Sequence, residues 1–180
     1  MTIFHAVLLF VAAQRAGELV LAQVNTKILL RRGASEIDCG GYKFIVALHA
    51  AWLLALFAMV PAATPPSWPL LALFFALQAA RVWVIASLGR RWTTRIIVLP
   101  GAPLVARGPY RWFRHPNYLI VIAELGILPL AFAAVAVAIV FSACNGLLLA
   151  RRIRLEDTAL GRRSYHIHET LPAATRSRRS

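Results

Sequence analysis

The chain has 180 residues, of which 59% are hydrophobic and 15% charged, with a mean hydropathy of +0.66. A polypeptide this small cannot hide so much apolar side chain from water, and disorder requires low hydrophobicity, so an ordinary soluble domain and a disordered chain are both excluded. The net charge of +13, from 20 Lys and Arg against 7 Asp and Glu, lies in blocks beside apolar stretches, which points to membrane topology and anionic lipid headgroups rather than to nucleic acid.

A membrane-crossing helix needs about 20 mostly apolar residues. Residues 2–24 qualify if Gln14, Arg15 and Glu18 are tolerated. No basic stretch precedes this first apolar run, which argues against a cleaved signal peptide. Residues 44–63 form the cleanest span, and residues 68–88 a third, interrupted by Gln78 and Arg81. The turn between them, Pro61 to Pro69, is proline-rich and uncharged. Residues 117–150 are apolar almost throughout, too long for one crossing and short for two. Pro129 interrupts them, Arg107, Arg111 and Arg114 precede them, and Arg151, Arg152 and Arg154 follow. Basic flanks at both ends place those ends on one side, so this stretch reads as a helical hairpin turning near Pro129. Lys27, Arg31, Arg32 and Lys43 in the first connection, and six arginines in 89–116, fall on that same side. The prediction is an all-α polytopic membrane protein of about five transmembrane helices, N-terminus outside and C-terminus in the cytoplasm. It is one domain over 1–180: three N-terminal helices (1–88), a polar region with the hairpin (89–165) and a basic tail (166–180). Two cysteines, Cys39 and Cys144, are too few for a disulfide framework or a zinc site.

Ionisable residues inside spans are costly, so each is a functional candidate. Arg15 and Glu18 share a helix face and can neutralise each other. Arg81 either snorkels to the interface or acts within the membrane. His49 reads as a hydrogen-bonded interhelix histidine. Glu124 has no basic residue close in its own helix and needs a partner from another helix or a ligand.

The densest polar cluster is Arg107-Gly108-Pro109-Tyr110-Arg111-Trp112-Phe113-Arg114-His115-Pro116-Asn117-Tyr118. Pro116 suits the first position of a helix, which puts His115 and free backbone N–H groups at the boundary, where anionic groups bind. An interfacial belt explains the arginines and aromatics but not why His-Pro should open the helix. A second cluster is Arg151-Arg152-Ile153-Arg154-Leu155-Glu156-Asp157, in which Arg152 and Glu156 share a face.

Gly108-Pro109-Tyr110-Arg111 with Arg114-His115-Pro116-x-Tyr118, and Arg152-Ile153-x-x-Glu156-Asp157-x-x-Leu160, resemble the signature of the isoprenylcysteine carboxyl methyltransferase family. Leu88-Gly89-Arg90-Arg91-Trp92-Thr93, before an extended segment, fits as well. The N-terminal half, through Gln14-Arg15, Glu18, Asn25, Gly33-Ala34-Ser35-Glu36, His49 and Trp52, resembles one bacterial branch of that superfamily. Members of that branch are associated with type III polyketide synthases and O-methylate phenolic or pyrone lipids. The resemblance implies a bacterial inner-membrane enzyme with S-adenosylmethionine as methyl donor. His115, Pro116 and Tyr118 would line the donor site, Glu156 and Asp157 would close it, and Arg152 would lie nearby. His115, Glu156 and Arg152 are the residues implied in catalysis. Asp157 stands where the family usually has a second glutamate. After Leu160, Gly161 follows at once and Tyr165 comes early, so Tyr165 and the tail are not carried over.

The donor chemistry suits these residues. Carboxylates suit its amine and ribose; arginine, histidine or helix N–H groups suit its carboxylate; aromatic faces suit adenine and the cationic sulfur. No metal is required, because a sulfonium is already an activated electrophile. The expected partners are a lipophilic small-molecule acceptor and membrane lipids, with no nucleic acid. The acceptor is a phenolic or pyrone lipid, or an isoprenylcysteine-type carboxylate. A phenol benefits from a base, for which His115 or Glu156 is suited. An NADPH-dependent sterol-type reductase and a non-catalytic membrane homologue are the alternatives.

Overall fold

The computed structural model describes residues 2–37, 40–103 and 105–169; the side chains of 156, 157 and 159–169 lie outside the described set, as do Asp38, Cys39 and the tail beyond 169. Five helices run in chain order: α1 (Ile3–Arg31), α2 (Gly41–Met59), α3 (Trp68–Leu88), α4 (Pro116–Ala131) and α5 (Val135–Glu169). All but α4 are long and apolar enough to cross a membrane, so the predicted all-α polytopic membrane fold holds. Short strands β1 (Ser35–Glu36) and β2 (Ile97–Val98) pair antiparallel and clasp the first basic connection to the third.

Local chemistry sets the helix ends. Thr2 caps α1, its Oγ1 accepting from the His5 amide. α1 continues to Arg31, well past the predicted residue 24, because nothing in residues 25–31 breaks a helix. Pro116 occupies the first turn of α4 with His115 as its cap, as predicted. The hairpin elbow lies at residues 132–134, slightly beyond Pro129. That proline sits in the last turns of α4, where its missing N–H forfeits one bond and its own carbonyl accepts from Phe132 and Ala134. The elbow closes through Ala133 at φ +58°.

Packing is layered. Phe4, Val7 and Val11 of α1 meet Trp52 and Leu56 of α2, Leu71 and Phe74 of α3, and Leu125 and Leu128 of α4 in one apolar cluster. A smaller cluster of Ala22, Val84, Trp92 and Ile120 lies towards the basic face. Between them sits a polar layer of Glu18, Gln78, Arg81 and Glu124. Leu9, Phe10, Leu54, Phe57, Val82 and Leu147 are exposed on the outer surface, as side chains solvated by lipid tails are.

The polar layer resolves the intramembrane charges. Arg81 does not snorkel: it is buried, with Nε and Nη2 donating to the Glu18 carboxylate at 2.6 and 2.7 Å and Nη1 to Glu124 at 3.0 Å. Arg15 bridges the same carboxylates, at 2.9 Å to Glu18 and 2.6 Å to Glu124. Gln78 Nε2 donates to Glu124 at 2.8 Å. The partner that Glu124 required is therefore a pair of arginines on two other helices. Two guanidiniums and two carboxylates staple α1, α3 and α4 with matched formal charge.

Candidate functional site

The connection from residue 89 to residue 115 is strapped to the helix ends. Asn25 Nδ2 donates to the carbonyls of Gly89 and Trp92 at 3.3 and 2.8 Å, and Arg107 Nε to that of Ser87 at 2.7 Å. Arg95 bridges to Glu36 at 2.9 Å and lies over the Tyr42 ring. Gly108 opens a turn of 3-10 helix (Gly108–Arg111) at φ +57°. A Cβ there would overlap Ser87 Oγ and stand 3.0 Å from Ser87 Cβ. Gly108→Ala is therefore expected to lose roughly 2 kcal/mol from left-handed backbone and overlap. Gly146→Ala, in open space within α5, is expected to gain about 0.5–1 kcal/mol; thermal unfolding in detergent compares the two.

These straps and the neighbouring stretches of the five helices frame an open cavity of about 510 Å³, within the range of small-molecule sites. His115, Asn117 and Tyr118 from the start of α4, and Arg152 from α5, share its wall. The His115 and Tyr118 rings stack at 5.1 Å with an interplanar angle of 12°. Arg152 Nε donates to the Tyr118 hydroxyl at 2.8 Å, and its guanidinium lies 5.8 Å from the Tyr118 ring centroid. Two sequence clusters 34 residues apart thus meet at one place. Pro116 is buried and fixes the start of α4 without lining the cavity. Glu156 and Asp157 stand one turn beyond Arg152 on α5; their side chains, like that of Tyr165, lie outside the described residues.

Several wall groups lack a partner in a way that invites a ligand. Trp92 Nε1 and Asn117 Oδ1 are buried with no hydrogen bond among the described residues. The same holds for both polar atoms of the Asn145 side chain, which is 1% exposed. Buried polar atoms without partners are rare in folded proteins. Sequence reading passed over Asn145, although a lone amide amid apolar residues 135–150 is a signal of cost inside a membrane. Arg91, Arg95 and Arg114 add positive charge to the wall, and Tyr110 and Phe113 add aromatic surface. The wall thus supplies cations for a carboxylate, flat rings for a base, and unmet donors and acceptors for a polar moiety.

A sequence profile of the isoprenylcysteine carboxyl methyltransferase (ICMT) family matches residues 70–162. The chain belongs to this family. It is an integral membrane methyltransferase of that group, and the matched segment runs from early α3 through the wall residues to the Glu156-Asp157 pair. The chain is also similar to the uncharacterized protein YpbQ of Bacillus subtilis (strain 168), 38% identical over 161 residues, covering 87% of this chain and 96% of that protein. No solved structure matches it. The ICMT-family segment begins after α1 and α2, so Arg15, Glu18 and His49 lie outside the match, whereas their neighbours Arg81 and Glu124 lie within it.

Proposed function

We infer that the protein uses S-adenosylmethionine to methylate an oxygen of a lipophilic acceptor. The observation that carries this reading is the convergence of His115, Tyr118 and Arg152 on one cavity beside buried polar atoms that have no partner. The residues fit the donor. Arg152 and the other wall arginines suit its carboxylate, Trp92 and the stacked His115–Tyr118 pair suit adenine, and Asn117 Oδ1 suits an amine or ribose hydroxyl. Glu156 and Asp157 carry the resemblance-derived role of closing the site from α5. Bound there, the donor supplies a methyl group already activated on a sulfonium.

The chain's own work is positioning and exclusion of water. The Arg152–Tyr118 hydrogen bond holds one edge of the wall, and the clasped 89–115 segment covers it. The basic helix ends, with Arg31, Arg32, Lys43, Arg90 and Arg91 on the cavity side, are assigned to the cytoplasm by the positive-inside rule. This sets the N-terminus outside and lets a cytosolic donor approach while a lipid acceptor arrives from the bilayer. A bacterial inner membrane is the corresponding location. The acceptor classes remain a phenolic or pyrone lipid and an isoprenylcysteine-type carboxylate.

Isothermal titration of S-adenosylmethionine and of NADPH into the detergent-solubilised protein tests the donor. Micromolar binding of the first and none of the second is the expected result; the reverse identifies a reductase. His115→Ala is expected to weaken donor binding about tenfold with the fold intact. Glu156→Gln is expected to weaken it more than Asp157→Asn. Wild-type binding by the His115 variant removes that imidazole from the donor site, and the opposite order of the acidic variants reassigns the pair. Transfer of radiolabelled methyl to extracted lipid completes the test, and its absence from a folded, donor-binding protein favours a non-catalytic homologue.

A further inference from the structure

The cavity has a second polar level. Arg81 lies seven residues before the end of α3 at Leu88, Asn145 seven residues before Arg152 on α5, and His49 eight residues into α2. That is about 10–12 Å of helix rise inward from the His115–Arg152 wall. All three side chains nevertheless line the same cavity, and α2 packs against α5.

The hydrogen bonds at this level decide what it can bind. Arg81 has its Nε, Nη1 and Nη2 committed to Glu18 and Glu124, and Arg15 is held by the same carboxylates. Both cations at this depth are therefore matched by carboxylates. An acceptor arriving as a carboxylate would bring an uncompensated charge into a low-dielectric site. A neutral hydroxyl would not. His49 Nδ1 lies 2.8 Å from the Ile45 carbonyl oxygen. A carbonyl can only accept, so Nδ1 carries the proton, and in the neutral ring Nε2 holds the lone pair. Among the described residues Nε2 has no hydrogen-bond partner. Asn145, also partnerless, offers an amide N–H to an oxygen in the same cavity.

The geometry points to an acceptor subsite at His49 and Asn145, built for a neutral hydroxyl such as that of a long-chain phenol, with His49 Nε2 as general base. This rests on the methyltransferase reading above. The acceptor O–H proton passes to His49 Nε2, and an oxygen lone pair forms the new O–CH3 bond. The methyl–sulfur bond breaks with its electron pair going to sulfur. The products are an aryl methyl ether, a neutral thioether and an imidazolium that later returns its proton to water. Asn145 Nδ2–H donates to the acceptor oxygen as it gains charge.

The test compares His49→Gln, His49→Ala and Asn145→Leu with the wild type in detergent–lipid micelles. Donor binding is followed by calorimetry, and alkylphenol binding without donor by equilibrium dialysis of radiolabelled ligand. Three methyl acceptors are used: a long-chain alkylphenol, its ring-tetrafluorinated analogue (a much more acidic hydroxyl) and a farnesyl-thioether carboxylic acid. Both His49 variants are expected to bind donor within twofold of wild type. They should transfer methyl to the alkylphenol about a hundredfold more slowly, the usual scale for a lost general base, and to the more acidic analogue by a much smaller factor. Asn145→Leu is expected to weaken alkylphenol binding about tenfold. Equal slowing with both phenols, no slowing with either, or lost donor binding overturns the assignment of His49. Wild-type transfer to the carboxylic acid alone overturns the hydroxyl subsite while leaving the methyltransferase reading intact; a wild type that binds no donor fails that reading itself.

Discussion

Glu124→Leu is expected to destabilise the folded protein by about 3–5 kcal/mol, the scale for removing one partner from a buried ion pair. The carboxylate is fully buried and accepts from Arg15, Arg81 and Gln78 at 2.6, 3.0 and 2.8 Å. Its loss leaves two guanidiniums sharing Glu18 alone. The companion Glu124→Leu/Arg81→Leu variant removes one charge of each sign and leaves Arg15 paired with Glu18 at 2.9 Å. Replacing a buried pair with apolar side chains is frequently neutral, so the double variant is expected to be more stable than the single one. Denaturation in mixed micelles measures both, and the sign of their difference decides. A double variant as unstable as the sum of its singles would mean that the staple is not a coupled unit.

Arg152→Leu is expected to weaken methyl-donor binding by roughly 10- to 100-fold, the cost of a lost charge-assisted hydrogen bond. It also removes the donor that holds the Tyr118 hydroxyl. Tyr118→Phe deletes the same hydrogen bond while keeping the ring stacked on His115, so it separates the two effects. A smaller loss, about fivefold, is expected there. Arg154, exposed two residues along the same helix, is the control, and Arg154→Leu should leave binding unchanged. Calorimetric titration compares the three, and equal losses at positions 152 and 154 would show that only bulk positive charge is felt.

The helices were legible in the sequence because length and hydropathy decide what crosses a bilayer, and arginine blocks decide which ends lie together. α3 begins at residue 68 and ends at 88 as read, and His115-Pro116 opens α4 as read. The elbow lies near Pro129 as read, and falls at 132–134 because a proline near a helix end can be accommodated as readily as it terminates. The partners of Glu124 were out of reach: Arg15 is 109 residues away and Arg81 43, and no local pattern encodes such pairings. Part of the cavity wall was legible: His115, Tyr118 and Arg152, read from the motifs, line one cavity, whereas the side chains of Glu156 and Asp157 lie outside the described residues. His49 was read as an interhelix histidine, whereas its Nδ1 bonds the carbonyl of Ile45 within its own helix; Asn145 went unread, a lone amide whose surroundings only the packing of α2 and α5 shows.

The elbow between α4 and α5 bears on how the molecule sits in lipid. α4, at 16 residues, rises about 24 Å, less than a hydrocarbon core of about 30 Å. Much of its tip is nonetheless satisfied within the protein. The amides of Phe132, Ala133 and Ala134 are bonded to the carbonyls of Pro129 and Leu130, and the Ala131 carbonyl accepts the Ser67 amide at 2.7 Å. A turn with these groups paired exposes fewer bare peptide groups to lipid than an open loop would. The two arms are therefore unequal: α4 falls short of a full crossing, whereas the apolar part of α5, Val135–Leu155, is long enough to make one. A thicker bilayer should be accommodated at that elbow, without levering apart the helix ends that frame the cavity.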